Sequence, residues 1–283
     1  MLTGWGNIAY DEVTNTLYGS NLSDGRIYAI DATTGEVRQV IDPFPAGGVG
    51  FLSDPYPADQ VIWGIELNPC TRQIFFIQQN VAGGGNSLGD GGPNRTKSLY
   101  TLDIDNSNGL LGNQQLFQTI NEGTREKFTD LDFSTNCDRL LTGERGTVHN
   151  SGVYLYQLNG TGNSYNLITD VTVGSIEGGD PWEFGLNSSG GVAFGSDQVS
   201  FDAGICDTLI WAMADCLDPA LVPGECNSFG PQGLYIDPTD FDALSGDVNS
   251  TGIFIDITPE AQLDPRFSKF GLGDIEVFNC CCD

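Results

Sequence analysis

WGNIAYDEVTNTLYGS, residues 5–20, reads as a hairpin: an aromatic and glycine lead-in, an alternating run, a polar turn, then a second apolar run. The pattern returns as WGIELNPCTRQIFFIQ from Trp63, FTDLDFSTNCDRLLTG from Phe128 and DQVSFDAGICDTLIWAMA from Asp197. A single hairpin cannot bury its apolar face alone, whereas stacked copies can, so recurrence of one unit points to a repeat architecture. A third strand with a polar turn follows, as in GRIYAIDATTGEV from Gly25, SLYTLDIDNSNGL from Ser98 and GVYLYQLNGTGNS from Gly152. A fourth comes next, in VRQVI, QQLFQTI and YNLITDV. Four meandering antiparallel strands per copy predict an all-β fold, a β-propeller of roughly four to six four-stranded blades with long loops. A β-sandwich would show turn signals every 8 to 12 residues or so, without one hairpin copied at long intervals.

The copies divide a single propeller domain, residues 1–283, into repeats of roughly 5–60, 61–125, 126–195 and 196–270. A terminal strand over 271–279 and a Cys-rich tail over 280–283 follow. GLGDIEVFNC repeats only the first strand of a unit and stops. Its apolar Ile275 and Val277 either complete a blade begun at the other end of the chain or add to the sheet edge of another copy, making a head-to-tail fibre.

Composition agrees with many short strands, since 38 Gly and 13 Pro punctuate the chain at turn frequency. A net charge of −27, from 38 acidic against 11 basic residues, repels polyanions and argues against nucleic acid as a partner. Nothing approaches 18 consecutive apolar residues, so no membrane span is expected. Eight cysteines without a CxxC pair point to disulfides in an oxidising compartment rather than a zinc site, hence to an exported protein. MLTGWGNIAY lacks a basic and an apolar leader region, so a processed or truncated N-terminus is expected. Cys216 and Cys226 flank one Pro-rich loop and are the expected local bridge. Cys70, Cys137 and Cys206 recur in the repeat turns about 70 residues apart, and Cys280, Cys281 and Cys282 close the chain, their connectivity open.

The opening GWGNIAYDEVTNTLYGSN, the segment GRIYAIDATTGEV and the ending FSKFGLGDIEVFNC resemble bacterial cell-surface propeller regions found beside serine-aspartate-repeat B-type surface domains. The resemblance spans nearly the whole chain and implies an exported surface or extracellular-matrix protein. Its motifs are structural, so no catalytic residue is carried over. The three consecutive cysteines and the Cys216–Cys226 insertion depart from the pattern.

Chemistry-bearing residues are few. His149 has no cysteine or second histidine near it in sequence, and no GxSxG, Walker, GxGxxG or HExxH motif occurs. Glu177 and Asp180, beside Trp182, are an acid pair of the kind any acidic loop offers. Asp103, Asp105 and Ser107 place oxygen side chains at alternating positions before Gly109, which suits calcium or, equally, a plain Asx turn. Sequons stand at Asn21, Asn94, Asn159, Asn187 and Asn249. The expectation is a non-enzymatic extracellular structural or adhesive protein whose partners are copies of itself or cell-surface glycans. A calcium-dependent carbohydrate-binding module is the first alternative, with Trp5, Trp63, Trp182 or Trp211 as stacking platforms, although their repeat-equivalent places read as core. A metal-dependent propeller hydrolase is the second.

Overall fold

The structure is a computed structural model, and it describes residues 5–21, 24–43, 61–79, 97–120, 127–145, 152–172, 189–195, 209–215, 229–235 and 253–254. Sheet 1 comprises β1 (Trp5–Asp11), β2 (Thr16–Asn21), β3 (Arg26–Asp31) and β4 (Val37–Ile41). Sheet 2 comprises β5 (Val61–Asn68), β6 (Gln73–Gln79), β7 (Lys97–Ile104) and β8 (Leu111–Ile120). Sheet 3 runs through β9 (Lys127–Phe133), β10 (Arg139–Arg145), β11 (Gly152–Leu158) and β12 (Tyr165–Thr172). Sheet 4 holds β13 (Ser189–Gly195), β14 (Leu209–Asp215), β15 (Phe229–Tyr235) and the short β16 (Ile253–Phe254). Each sheet is an up-and-down meander in chain order, and the protein is all-β, built of the four-stranded antiparallel blades of a β-propeller. Two compact units divide the chain, Met1–Asp130 and Leu131–Asp283.

The first turn of each of the first three sheets follows one design. Asp11 Oδ1 accepts the Val13 N–H at 3.2 Å, and Asn68 Oδ1 accepts the N–H groups of Cys70 and Thr71 at 3.0 Å. In the third, the Ser134 carbonyl accepts the Cys137 N–H at 2.8 Å. Asn15, Arg72 and Cys137 then take left-handed φ values of 52°, 54° and 58° to turn the chain back. An acceptor at the strand end thus replaces the ladder partners that the turn removes.

Registers refine the repeat. Pairing shifts between Trp5 and Ile8 in sheet 1 and between Ile62 and Ile65 in sheet 2, so a bulge sits in each first strand. Counting back from the turn acceptors Asp11 and Asn68 matches Gly6–Asn7 with Trp63–Gly64. The two Trp-Gly steps that align by letter are therefore one residue out of register in space. Sheet 4 shows a similar shift, between Ser189 and Val192. It opens at Ser189, inside the stretch that the sequence assigned to the third repeat, and not at Asp197. Gly190 and Gly191 sit in the bulge and read as a turn by composition, which conceals the strand.

Within the first unit, β5 packs on β1 and β2. Ala9, Tyr18, Ile27 and Ala29 on one face of sheet 1 meet Ile62, Ile65, Ile74, Phe76 and Leu102 of sheet 2 in one apolar core. Within the second unit, β10 packs on β13, and Asp132 Oδ2 accepts the Phe194 N–H at 2.5 Å.

Candidate functional site

The calcium candidate occupies the turn between β7 and β8, and its carboxylates serve protein donors. Asp105 Oδ1 accepts the Ser107 N–H at 2.9 Å and its hydroxyl at 2.7 Å, while Oδ2 accepts Asn108 Nδ2 at 3.1 Å. Asp103 accepts Gln73 Nε2 at 2.7 Å on one oxygen and Asn113 Nδ2 at 2.6 Å on the other. The side chain of Ser107 lowers the Asp105 pKa, and those of Gln73 and Asn113 lower that of Asp103. Among the described residues no group of three or more His, Cys, Asp or Glu side chains converges on a cation-sized space.

What the turn touches explains its composition. Gly109, at φ +73°, offers its carbonyl to the Tyr18 hydroxyl at 2.8 Å, and a Cβ there would lie 2.6 Å from the Thr14 hydroxyl. Arg38 spans Asp31, Thr16 (2.7 Å) and the Asn108 carbonyl (3.4 Å). Gln39 exchanges two hydrogen bonds with the Leu111 backbone, at 3.0 and 2.7 Å. Arg72 donates to Asp11 at 2.9 Å and to Asn106 at 2.7 Å. The Asp11 side chain is 1% exposed; burial alone would raise its pKa, but the hydrogen bonds from Thr14 and Arg72 prevail and lower it. The turn is therefore a polar clasp between sheets 1 and 2.

A second polar cluster lies along the bulges of the first strands. Asn7 Nδ2 donates to Asp130, and both residues are buried. The Asn7 N–H donates to Ser20 Oγ at 3.1 Å, and that hydroxyl donates to the Trp63 carbonyl at 2.7 Å. Gly64 makes the approach possible, since a Cβ there would lie 3.2 Å from the Asp130 backbone. The buried Lys97 ammonium stands 3.8 Å from the centre of the Phe128 ring. Asn7, Ser20, the Trp63 carbonyl and Asp130 are tied together by hydrogen bonds, so the cluster is a structural joint. No sequence motif announces it, because its members come from separate repeats.

The opposite face of sheet 1 carries exposed apolar side chains. By register, Ile8 and Tyr10 of β1 share it with Leu17 of β2, Tyr28 and Ile30 of β3, and Val37 and Val40 of β4. Trp5, 46% exposed, lies over Gly19 and meets the Tyr28 ring edge-on, with centroids 5.4 Å apart. Its place in the repeat suggested core, whereas the structure leaves it half open to solvent. Trp63 and Trp211 are half-buried. The exposed Trp5 makes this face the candidate functional surface.

The remaining expectations fall where the structure permits. Cys70 and Cys137 are each disulfide-bonded. Asn21 ends β2 and is half-buried. Asn159 gives both amide protons to its own turn, to Asn163 at 2.7 Å and Ser164 at 2.6 Å. Cys206, Cys216, Cys226, Cys280, Cys281, Cys282, Asn94, Asn187, Asn249, His149, Glu177, Asp180, Trp182, Ile275 and Val277 lie outside the described residues.

No family model and no curated protein matches the chain. Among solved structures it is similar to a luciferin-regenerating enzyme, at 11% identity and a TM-score of 0.44 over 83% of this chain and 60% of that one. It is also similar to the periplasmic gluconolactonase of Pseudomonas aeruginosa, at 12% identity and a TM-score of 0.46, covering 84% of this chain and 53% of that one. A third similar structure is the Dos1 propeller, at 11% identity and a TM-score of 0.43, with coverages of 90% and 49%. The chain thus spans about half to three-fifths of the length of these structures, and no activity is carried over from them. The expectation of a non-enzyme is nevertheless corrected: two of these similar proteins carry enzyme names, so the missing short motifs do not exclude catalysis.

Proposed function

We propose that the protein is an extracellular or cell-surface structural propeller that associates with copies of itself. The observation that carries this reading is the outer face of sheet 1, where Ile8 and Tyr10 on β1 and Val37 and Val40 on β4, the two outermost strands, are each 45–50% exposed. The largest exposed apolar patch of a protein is often an interaction surface. Two further features support the setting. Cys70 and Cys137 are disulfide-bonded, and such bonds persist in oxidising compartments. A net charge of −27 suits a protein displayed in an aqueous exterior and turned away from nucleic acid. The resemblance to bacterial surface propeller regions points the same way. Sedimentation velocity over a concentration series tests the reading: the weight-average mass is expected to rise with concentration. A single monomer boundary at every concentration would refute it.

A further inference from the structure

Asn108-Gly109 and Asn159-Gly160 are the two Asn-Gly steps of the chain, and they stand in corresponding turns, between β7 and β8 and between β11 and β12. Glycine has no Cβ to shield its nitrogen, so at such a step the backbone nitrogen can reach and attack the asparagine side chain. We infer that Asn159 is a self-modification site of the folded protein, converting to aspartate and isoaspartate, whereas the fold locks Asn108 against the same reaction. The reaction balances with water as the one co-reactant. Hydroxide takes the proton of the glycine N–H, the nitrogen bonds to the side-chain Cγ, and the Cγ–Nδ2 bond breaks as ammonia leaves with a proton from water. Water then opens the cyclic imide at one or other carbonyl, giving the two products.

The nucleophile separates the two turns. The Gly109 N–H donates to the Asp105 carbonyl at 2.8 Å, and the Gly109 carbonyl accepts the Tyr18 hydroxyl at 2.8 Å. Gly109 is buried, with Thr14 and Thr16 close enough to exclude a Cβ. Swinging its nitrogen onto Asn108 Cγ would break the turn and pull on the joint with sheet 1. Gly160 is exposed, a Cβ there would meet nothing within 4 Å, and its N–H has no partner among the described residues. The electrophile differs too. Three donors surround Asn159 Oδ1: the Thr161 N–H at 3.2 Å, the Asn163 N–H at 3.1 Å and the Thr161 hydroxyl at 2.9 Å. Donors so placed stabilise the oxyanion that forms as the nitrogen attacks. Asn108 Oδ1 accepts one N–H among the described residues, that of Leu110 at 2.9 Å. The two bonds on Asn159 Nδ2, to Asn163 and Ser164, lie on a turn open to water, which replaces them at small net cost. The Ser164 hydroxyl, 2.6 Å from Nδ2, can rotate to pass on the proton with which ammonia leaves. Either product removes the acceptor amide of the sequon at Asn159.

The test uses the unmodified full chain at mildly alkaline pH, folded and in urea, with peptide mass mapping of both steps over time. In urea the two should convert at similar rates. In the folded chain Asn159 should keep a rate comparable to that in urea, and Asn108 should fall at least about tenfold below it, since a buried hydrogen bond must break first. As a second measurement, amide hydrogen exchange of the folded chain reads the nitrogens directly: the Gly160 N–H should exchange freely and the Gly109 N–H should be protected. Asn159 converting as slowly as Asn108 in the folded chain, Asn108 converting as fast as Asn159, or Gly160 as protected as Gly109 would each overturn the inference.

Discussion

Replacing Arg72 by Met isolates the strongest link in the clasp between sheets 1 and 2. The substitution retains the apolar stem and the left-handed turn conformation that a non-glycine residue already holds at φ 54°, and removes the guanidinium. Asp11, 1% exposed, then loses its counter-ion while keeping Thr14 Oγ1 at 2.5 Å and the Val13 N–H at 3.2 Å. Breaking a fully buried pair costs about 3–5 kcal/mol, but the Arg72 side chain is 24% exposed and partly hydrated, so about 2–3 kcal/mol is expected. The lost bond to the exposed Asn106 adds a few tenths of a kcal/mol at most, roughly. Urea unfolding followed by tryptophan fluorescence at pH 7 and at pH 3 reads the effect. Because the variant's Asp11 takes up a proton readily once its cation is gone, the destabilisation should shrink to below about 1 kcal/mol at pH 3. A loss under about 0.5 kcal/mol at pH 7, or an equal loss at both pH values, would refute the argument.

Gly109→Ala combines a left-handed φ of +73° with a Cβ 2.6 Å from the Thr14 hydroxyl, whereas Gly35→Ala has φ +72° and open space; thermal unfolding should show the former worse by about 1–2 kcal/mol. Asp11, Asp31, Asp103 and Asp105 all have lowered pKa values in the fold, Asp31 to about 2 through the Thr34 N–H and Arg38. Their stabilisation is complete above about pH 4, the unfolded carboxylate value, and is lost as pH falls through the folded values, so Tm should drop between about pH 4 and 2 and drop less in Asp11→Asn. Alkylation of the native protein followed by peptide mass mapping should leave Cys70 and Cys137 unlabelled until a reductant is added, and labelling without it would contradict the disulfides.

The sequence is legible where structure is local. Asp11 and Asn68 announce their turns because an acceptor side chain at a strand end is a short-range device, and the meanders after them follow from alternation and glycine. Matching letters misleads where hydrogen bonding sets register. Trp5-Gly6 and Trp63-Gly64 look like one motif twice, yet pairing counted from their turns places them a residue apart, and the glycine-rich opening of β13 hides a strand inside an apparent turn. Asp103, Asp105 and Ser107 alternate as calcium ligands would. What they bond to depends on Gln73 and Asn113, and the place of their turn depends on Tyr18 and Arg38; no spacing rule reaches that far. Exposure of Trp5 is likewise a property of its surroundings in the fold, not of the residue.

The two faces of sheet 1 differ in the kind of contact they can make, and that difference bears on function. Toward sheet 2, polar groups cross the gap at several points: Arg72 to Asp11, Tyr18 to Gly109, Gln39 to Leu111, and Ser20 to Trp63. Each bond is directional and shielded, so sliding or exchange of the two sheets would leave several buried groups unsatisfied at once. Toward solvent, the polar atoms of Tyr10 and Tyr28 are turned back onto Asn15 and Asp24. Hydrophobic contact is non-directional and scales with area, so it can be made and broken without stranding a polar group.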